Sequence, residues 1–291
     1  MKGIILAGGR GTRLYPLTNI VSKQLLTVYE KPLIYYSLST LMLGGVRDIA
    51  LISTPEDIPR YKELLGNGRK WGLKLTYFVQ DKPRGIAEAF IICKDFIGNS
   101  TVSMILGDNI FYGNMRLKEV YANFEEGALV FTYPVKNPER YGVVELEKNG
   151  KVIGIEEKPD NPKSKYAVTG LYIYDNKVVE YAKNLIPSDR GELEITDLNR
   201  YYLKRGELEV NLLGRGIAWI DAGTASSLHE AGSFVKSVEK RQFYKIGCPE
   251  EIALRMGFID TNGFSKLLEE IPNCDYRDYL LEIYNEFNQE V

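Results

Sequence analysis

A short apolar strand that runs directly into a glycine-rich loop opens the chain and constrains its fold most strongly. The loop follows residues 3–7 and contains three glycines, a threonine and an arginine: Gly8, Gly9, Gly11, Thr12 and Arg13. Glycines let backbone N–H groups approach an anion closely, and exposed N–H groups in such a turn form an anion-binding nest. Arg13 and Lys23 add positive charge. The pattern predicts a polyphosphate-binding loop after the first strand of an α/β sheet.

Two common phosphate-binding loops do not match this one. A Walker A loop ends in Gly-Lys-Ser or Gly-Lys-Thr, whereas this loop ends in Gly11-Thr12-Arg13. A dinucleotide fingerprint requires a third glycine where Leu14 stands, which argues against a dinucleotide-dependent oxidoreductase. The loop therefore represents a third type of phosphate site.

Strand-like and helical patterns alternate through the first half of the chain. Apolar runs at 2–7, 49–53, 74–79 and 102–106 are separated by helical patterns at 33–43, 58–65 and 86–96. This rhythm predicts a Rossmann-like, mostly parallel sheet flanked by helices. From residue 128 the chain is rich in Val, Ile and Tyr and predicts a β-rich subregion beside that sheet. After residue 224 it is helical almost to the end.

These changes in pattern suggest how the chain is divided. We expect one domain over residues 1–240, with one part at roughly 1–127 and a β-rich part at roughly 128–225. Residues 241–291 are expected to form a C-terminal helical extension rather than an independent domain.

Composition excludes several classes of function. The formal net charge of −2 supplies no basic excess for nucleic acid, and no apolar run is long enough for a membrane span. No signal peptide is evident, and the three cysteines form neither a metal spacing nor a disulfide framework, so we expect a cytoplasmic protein. The single histidine, His229, can build neither a catalytic triad nor a zinc site.

Two aspartates follow strand-like runs, at Leu106-Gly-Asp108-Asn109 and at Trp219-Ile-Asp221. Ligands bind beyond the carboxyl ends of parallel strands, so the glycine loop, Gln80 and Asp108 are expected on the same rim. Two carboxylates at such positions can bind one Mg²⁺, which usually shares them with a substrate phosphate. Each aspartate alone is equally consistent with a turn or helix N-cap residue.

Two further segments carry suitable chemistry for a ligand. In Glu156-Glu157-Lys158-Pro159, Lys158 could place a point charge on a phosphate and Glu157 could accept hydrogen bonds from hydroxyls. The Gln80 amide offers a donor and an acceptor that suit a pyrimidine edge, and Gly85 would let the backbone approach it. Taken singly, both segments also fit ordinary turns.

The combination of motifs resembles the sugar-1-phosphate nucleotidyltransferases. The matching segments run in order along nearly the whole chain: 6–14, 22–26, 31–36, 71–73, 106–109, 138–143, 156–159, 167–172, 190–197 and 219–221. The helical tail around Cys248 matches the short, homotetrameric form of these enzymes. The resemblance implies dTTP and glucose 1-phosphate as substrates, Mg²⁺ as cofactor, and pyrophosphate as the leaving group. Uridylyltransfer from UTP to glucose 1-phosphate remains an alternative, as do another NDP-sugar pyrophosphorylase activity and a non-catalytic nucleotide sensor.

The resemblance also implies roles for individual residues. Arg13, Lys23 and Lys158 would be catalytic, and Asp108 and Asp221 would bind Mg²⁺. The nucleotide would contact Leu6, Gly8, Gly9, Gly11, Thr12, Arg13, Lys23, Gln80, Pro83, Gly85 and Asp108. The sugar phosphate would contact Asn109, Gly142, Glu157, Lys158, Val168, Tyr172 and Trp219.

A second, regulatory nucleotide site occurs in many relatives. Here it would involve Tyr112, Gly113, Arg215, Glu251, Ile252 and Arg255. The chain has Leu117 and Lys118 where a histidine and an acid are expected, so the pattern leaves regulation open. The chain also departs from many relatives at Arg84 and Ala222, neither of which is a proposed catalytic group.

Overall fold

The structure is a computed structural model that describes residues 1–9 and 11–289. Arg10 of the glycine loop and the last two residues of the expected extension lie outside the described residues. The strands are β1 (Lys2–Leu6), β2 (Thr27–Val28), β3 (Lys31–Pro32), β4 (Asp48–Ser53), β5 (Lys74–Val79), β6 (Val102–Leu106), β7 (Asn109–Tyr112), β8 (Ala128–Pro134), β9 (Gly142–Leu146), β10 (Val152–Glu157), β11 (Tyr166–Tyr174), β12 (Leu208–Leu212) and β13 (Ala218–Asp221). The α-helices are α1 (Leu33–Leu43), α2 (Ile58–Leu65), α3 (Glu88–Ile92), α4 (Lys94–Ile97), α5 (Leu117–Asn123), α6 (Val178–Lys183), α7 (Ile195–Lys204), α8 (Ala225–Glu239), α9 (Pro249–Arg255), α10 (Thr261–Glu270) and α11 (Asp275–Gln289).

A nine-stranded sheet forms the centre of the molecule. The strands β6, β1, β4 and β5 lie side by side and are parallel, as the alternating pattern predicts. Ile4 and Ile5 of β1 and the apolar side chains of β4 are completely buried because helices cover both faces of the sheet, whereas Leu6 at the end of β1 is partly exposed. The predicted fold class, a mostly parallel sheet flanked by helices, is confirmed.

The β-rich part of the chain extends the same sheet. β11 pairs antiparallel with β6 through its second half and with β9 at Ala167, while β8 lies along its other edge. β10 and β12 complete the sheet beside β9 and β8. The long strand β11 therefore connects the parallel half of the sheet to the β-rich half.

A separate two-stranded ladder matters most for the site. β7 begins directly after the turn that ends β6, and β13 pairs antiparallel with it. The pairing places Asp221, the last residue of β13, opposite Asn109, the first residue of β7, although the two are more than a hundred residues apart in sequence.

The helices differ from the sequence expectation in two places. The predicted helix at 86–96 is two short helices that meet at Cys93. The first begins only at Glu88, because Ala87 N–H donates to the Leu193 carbonyl and holds the preceding residues in a loop. The helix after Thr224 ends at Glu239 rather than continuing. Its start is capped by Thr224 and Ser227, each of which accepts from the backbone N–H of the other.

The C-terminal helices pack onto the rest of the chain through α9. Ile252 and Ala253 of α9 belong to the same core as α1 and the parallel strands, and Trp71 donates to Glu250 at 3.1 Å. The boundary at residue 240 remains a prediction.

Within residues 1–9 and 11–289, no helix is both long and apolar enough to span a bilayer.

Candidate active site

A cleft of about 290 Å³ opens at the carboxyl ends of β1 and β6. Thirteen of the predicted site residues line it: Leu6, Gly8, Arg13, Lys23, Asp108, Asn109, Gly142, Glu157, Lys158, Val168, Tyr172, Trp219 and Asp221. They come from both halves of the sheet and from the β7–β13 ladder. The fold thus brings together phosphate-loop, carboxylate and lysine segments that are far apart in sequence.

The other predicted nucleotide residues do not line the cleft. These are Gly9, Gly11, Thr12, Gln80, Pro83 and Gly85. Gln80 is beside the glycine loop, since a Cβ at Gly8 would lie 3.4 Å from the Gln80 Oε1 atom. Gly85 has a φ of +101°, and a Cβ there would collide with the Leu193 backbone, so this glycine is required by the fold itself.

The two aspartates approach each other because of the β7–β13 pairing. Asp108 ends the turn before β7, and Asp221 is the last residue of β13. The backbone N–H of Ala222 donates to the carbonyl of Asp108 at 3.0 Å and closes the ladder at this end. Both carboxylates line the cleft.

The two carboxylates have opposite electrostatic environments. Burial alone would raise the pKa of Asp108, but its ion pair with the Lys23 ammonium outweighs burial and lowers that pKa. Burial and the nearby Asp108 charge raise the pKa of Asp221, and Lys23, Arg13 and Arg140 offset this only in part. Asp221 is therefore a carboxylate held near a like charge with too little compensation.

The donor set is compatible with Mg²⁺ but not with a metal site built by protein alone. Among the described residues, no group of three or more His, Cys, Asp or Glu side chains could hold a metal ion. Mg²⁺ commonly uses one or two carboxylates and completes its shell with water and substrate phosphate. Burial first and repulsion by Asp108 second raise the pKa of Asp221, and a divalent cation would relieve that repulsion. The two aspartates thus fit a shared Mg²⁺.

At the other end of the cleft, Glu157 is fixed on both carboxylate oxygens. Thr196 Oγ1 donates to Glu157 Oε2 at 2.5 Å, and Lys158 Nζ lies 3.2 Å from Glu157 Oε1. Lys158 itself has a positive φ of 43°, and its backbone N–H donates to the Tyr141 carbonyl at 3.0 Å. Non-glycine residues rarely adopt this conformation, so the turn fixes the backbone of Lys158 while its side chain is half-exposed.

Asn109 connects the aspartate end of the cleft to the aromatic end. Its Oδ1 accepts from Trp219 Nε1 at 2.6 Å and from Gly170 N–H at 3.0 Å. Its Nδ2 donates to Asp108 Oδ1 at 3.0 Å. The amide is therefore largely occupied by the protein and supports the Asp108 carboxylate directly.

Several residues that line the cleft were not assigned a role from the sequence. They are Gln24, Ile86, Leu106, Arg140, Tyr141, Thr169, Gly170, Ile195 and Thr196. Arg140, Tyr141, Ile195 and Thr196 fall inside segments 138–143 and 190–197, so the motifs contained them without showing what they do. In the part of the chain that the structure describes, no carboxylate lies within ion-pair distance of Arg140 or Arg13.

A second cavity, of about 400 Å³, lies between α1, β7 and α9. Tyr112, Gly113, Glu251, Ile252 and Arg255 of the predicted regulatory site line this cavity. Arg215 is exposed and does not line it. Arg255 Nε donates to Glu251 Oε1 at 2.8 Å across one helical turn.

A family model of nucleotidyl transferases matches residues 2–238. The chain belongs to this nucleotidyl transferase family. The match includes every residue that lines the first cleft and stops short of α9–α11. The family resemblance seen in the sequence is thereby confirmed.

Relatives within the nucleotidyl transferase family align over almost the full chain. A glucose-1-phosphate thymidylyltransferase from Neisseria meningitidis is 56% identical over 286 residues, covering 97% of this chain and 99% of the relative. One from Xanthomonas campestris is 54% identical over 282 residues, covering 96% of this chain and 95% of the relative. A Bacillus anthracis structure described by the same activity, in complex with sucrose, has a TM-score of 0.75 and 49% identity. It covers 80% of this chain and 94% of its own.

Proposed function

We propose that this chain is a glucose-1-phosphate thymidylyltransferase, which converts dTTP and α-D-glucose 1-phosphate to dTDP-glucose and pyrophosphate. The observation that carries the proposal is a single cleft that holds a glycine loop, two carboxylates and the Glu157–Lys158 pair. Relatives named for this activity align over 96–97% of the chain, which supports the same substrates here.

The reaction proceeds by direct in-line displacement. An oxygen of the sugar phosphate attacks the α-phosphorus of the nucleotide, the bond to the bridging β-phosphate oxygen breaks, and pyrophosphate leaves. The sugar phosphate is already an anionic nucleophile and needs no general base. Positioning and electrostatic stabilisation are the main requirements of such transfers.

Cationic side chains supply that positioning. Lys158 directs the sugar phosphate, while Lys23 and Arg13 bind the triphosphate, with Arg13 stabilising the departing charge. A Cβ at Gly223 would lie 3.1 Å from Arg13 Nη2, so the guanidinium reaches the turn that follows Asp221. Mg²⁺ held by Asp108 and Asp221 would neutralise negative charge between the two anionic substrates.

Polar groups at the inner end of the cleft bind the sugar. Glu157 accepts from its hydroxyls and Tyr172 donates, and burial together with Glu157 and Asp108 raises the pKa of the Tyr172 hydroxyl further above neutral pH. Asn109, Gly142, Val168 and Trp219 complete this wall, and Gln80, Pro83 and Gly85 lie around the base.

The proposal extends to assembly, location and regulation. We infer a homotetramer in the cytoplasm, on the resemblance of the tail around Cys248 and on three free cysteines. The second cavity is a candidate regulatory nucleotide site. Light scattering coupled to size-exclusion chromatography measures the oligomeric state, and a monomer would contradict the homotetramer.

A substrate panel tests the activity. Pyrophosphate release is measured with each nucleoside triphosphate against glucose, galactose and glucosamine 1-phosphates, with and without Mg²⁺. We expect turnover with dTTP and glucose 1-phosphate that depends on Mg²⁺. A preference for UTP would favour the uridylyltransferase alternative, since one methyl group is worth only about 1–3 kcal/mol of discrimination. Absence of turnover with every pair would refute the proposal.

Displacement without a covalent intermediate has its own test. The protein is incubated with α-labelled dTTP in the absence of sugar phosphate, and the denatured chain is examined for bound label. We expect none, and a labelled nucleotidyl-enzyme would exclude the direct mechanism.

A further inference from the structure

The side-chain amide of Gln80 is held by two neighbours at one end. Its Nε2 donates to Glu88 Oε2 at 2.8 Å and to the Gly85 carbonyl at 3.3 Å. Gln80 is 8% exposed, so its amide has little access to water. A buried amide of this kind makes most of its hydrogen bonds with the protein or with a bound ligand.

The chemistry of the two neighbours fixes which end of the amide faces them. An ionised carboxylate and a backbone carbonyl are both acceptors only, so the amide must present its NH₂ group to them. The Oε1 atom then points the other way, toward the glycine loop, where a Cβ at Gly8 would lie 3.4 Å from it. The site beside the phosphate loop therefore contains a fixed hydrogen-bond acceptor.

Glu88 is itself held in place. It is the first residue of α3, and its side chain is only 12% exposed. Arg84 Nε lies 3.4 Å from Glu88 Oε1, the oxygen that Gln80 does not use. The two oxygens of Glu88 therefore face different neighbours, and it is Oε2, not the oxygen beside Arg84, that keeps the Gln80 amide in one orientation.

We propose that Glu88 is a positioning residue for nucleobase selection, acting through Gln80. The inference rests on the proposed function, because it requires the base to lie beside Gln80. A fixed acceptor pairs with a pyrimidine whose N3 carries hydrogen, as in thymine and uracil. Cytosine presents a lone pair at N3, so two acceptors would face each other and binding would be disfavoured. Glu88 therefore excludes cytosine nucleotides without touching them.

The central test is Glu88→Gln, which keeps size and shape but replaces an acceptor-only group with one that can also donate. Only the longer hydrogen bond to the Gly85 carbonyl then still favours the original orientation, so Gln80 can also turn its NH₂ group toward the base. We measure kcat/KM with dTTP and dCTP and expect the dCTP:dTTP ratio to rise by about 10-fold or more. Binding of dTDP and dCDP by calorimetry gives the same comparison without chemistry. The matched control, Arg84→Gln, removes the charge on the other oxygen and should leave the ratio within about 2-fold.

A reversed pair provides the second variant. In Gln80→Glu combined with Glu88→Gln, the new amide donates to the new carboxylate, so an acceptor again faces the base, although the hydrogen bond to the Gly85 carbonyl is lost. We expect the ratio to return toward that of the wild type, at a lower overall rate. Equal losses for dTTP and dCTP in Glu88→Gln, with an unchanged ratio, would show a merely structural role and overturn the inference. Failure of the wild type with all triphosphates would instead refute the proposed function.

Discussion

The cleft and a second charged group of side chains show two opposite ways to bury charge. The second group, called here the junction cluster, consists of Glu30, Lys31, Glu239 and Lys245. Lys31 lies 2.6 Å from Glu30 and 3.2 Å from Glu239, and Lys245 lies 2.6 Å from Glu30. Two cations thus face two carboxylates between the β2–β3 hairpin and the end of α8.

The two regions differ at Asp221, because the pKa of Asp108, the other cleft carboxylate, is lowered by Lys23 just as that of Glu30 is lowered by its lysines. In the junction cluster, burial alone would raise the pKa of Glu30, but hydrogen bonds from Lys245 and Lys31 lower it below its ordinary value. In the cleft, the pKa of Asp221 is raised, by burial first and by Asp108 second. Matched charges in the junction cluster stabilise the fold, whereas the incompletely compensated charge of Asp221 in the cleft is suited to a charged ligand.

The largest expected effect comes from breaking the matched cluster. Lys31→Met leaves Glu30 and Glu239 with one cation fewer in a site where Lys31 is 2% exposed. Removing one partner from a buried ion pair typically costs about 3–5 kcal/mol. Urea unfolding should show this loss, while kcat with dTTP changes less than about 2-fold. A large fall in kcat in the folded variant would show that the two regions are coupled.

The next prediction concerns the cleft, where we expect a large loss of activity with little change in stability. Arg13→Ala should lower kcat by a factor on the order of 10² or more, equivalent to about 2.7–4 kcal/mol of transition-state stabilisation. Arg13 is exposed and has no ion-pair partner among the described residues, so the unfolding midpoint should hardly move. Arg116→Ala, another exposed arginine, is the control with unchanged kcat. A near-normal rate would remove Arg13 from the mechanism.

Removing an unmatched charge should improve stability and abolish activity together. Asp221→Asn relieves the repulsion by Asp108 and should raise the unfolding free energy at pH 7 by about 0.5–2 kcal/mol, in the absence of metal. The same variant should lose almost all pyrophosphate release. Thermal unfolding of both proteins in EDTA gives the comparison, and a destabilised variant would show that Asp221 is compensated better than its pKa indicates.

The difference between the two regions also explains what the sequence could predict. β1, α1 and β5 follow from local hydrophobic patterns and occur within a residue of their predicted bounds. The proximity of Asp108 and Asp221 does not, because it depends on the register of β13 against the unpredicted strand β7. The apolar run of β7 is only four residues long and follows a turn, so it carries too little periodicity to be recognised.

For the site residues too, local signals could be predicted from the sequence and long-range contacts could not. Arg13, Lys23 and Lys158 stand in motifs that indicate phosphate chemistry by themselves. Arg140 gives no such local signal, because an arginine in a turn is usually solvent-exposed, and only the fold directs it toward Asp221. The contact between Glu88 and Gln80 likewise depends on how residues 80–87 are held by Leu193.

The smallest expected effect is on how the stability of the protein depends on pH, and it tests the charge pairing of Glu30 in the junction cluster. Because the pKa of Glu30 in the fold lies below its ordinary value of 4.5, ionised Glu30 stabilises the folded state above that value. The stabilisation is lost as the pH falls through the lowered pKa. At pH 7 the unfolding free energy of the wild type should exceed that of Glu30→Gln by about 1 kcal/mol or less, since the Glu30 side chain is 25% exposed. The two unfolding free energies should converge toward pH 3. Glu119→Gln, at an exposed surface position, should show no such convergence. A constant gap between wild type and Glu30→Gln down to pH 3 would mean that packing, rather than matched charge, holds the junction cluster together.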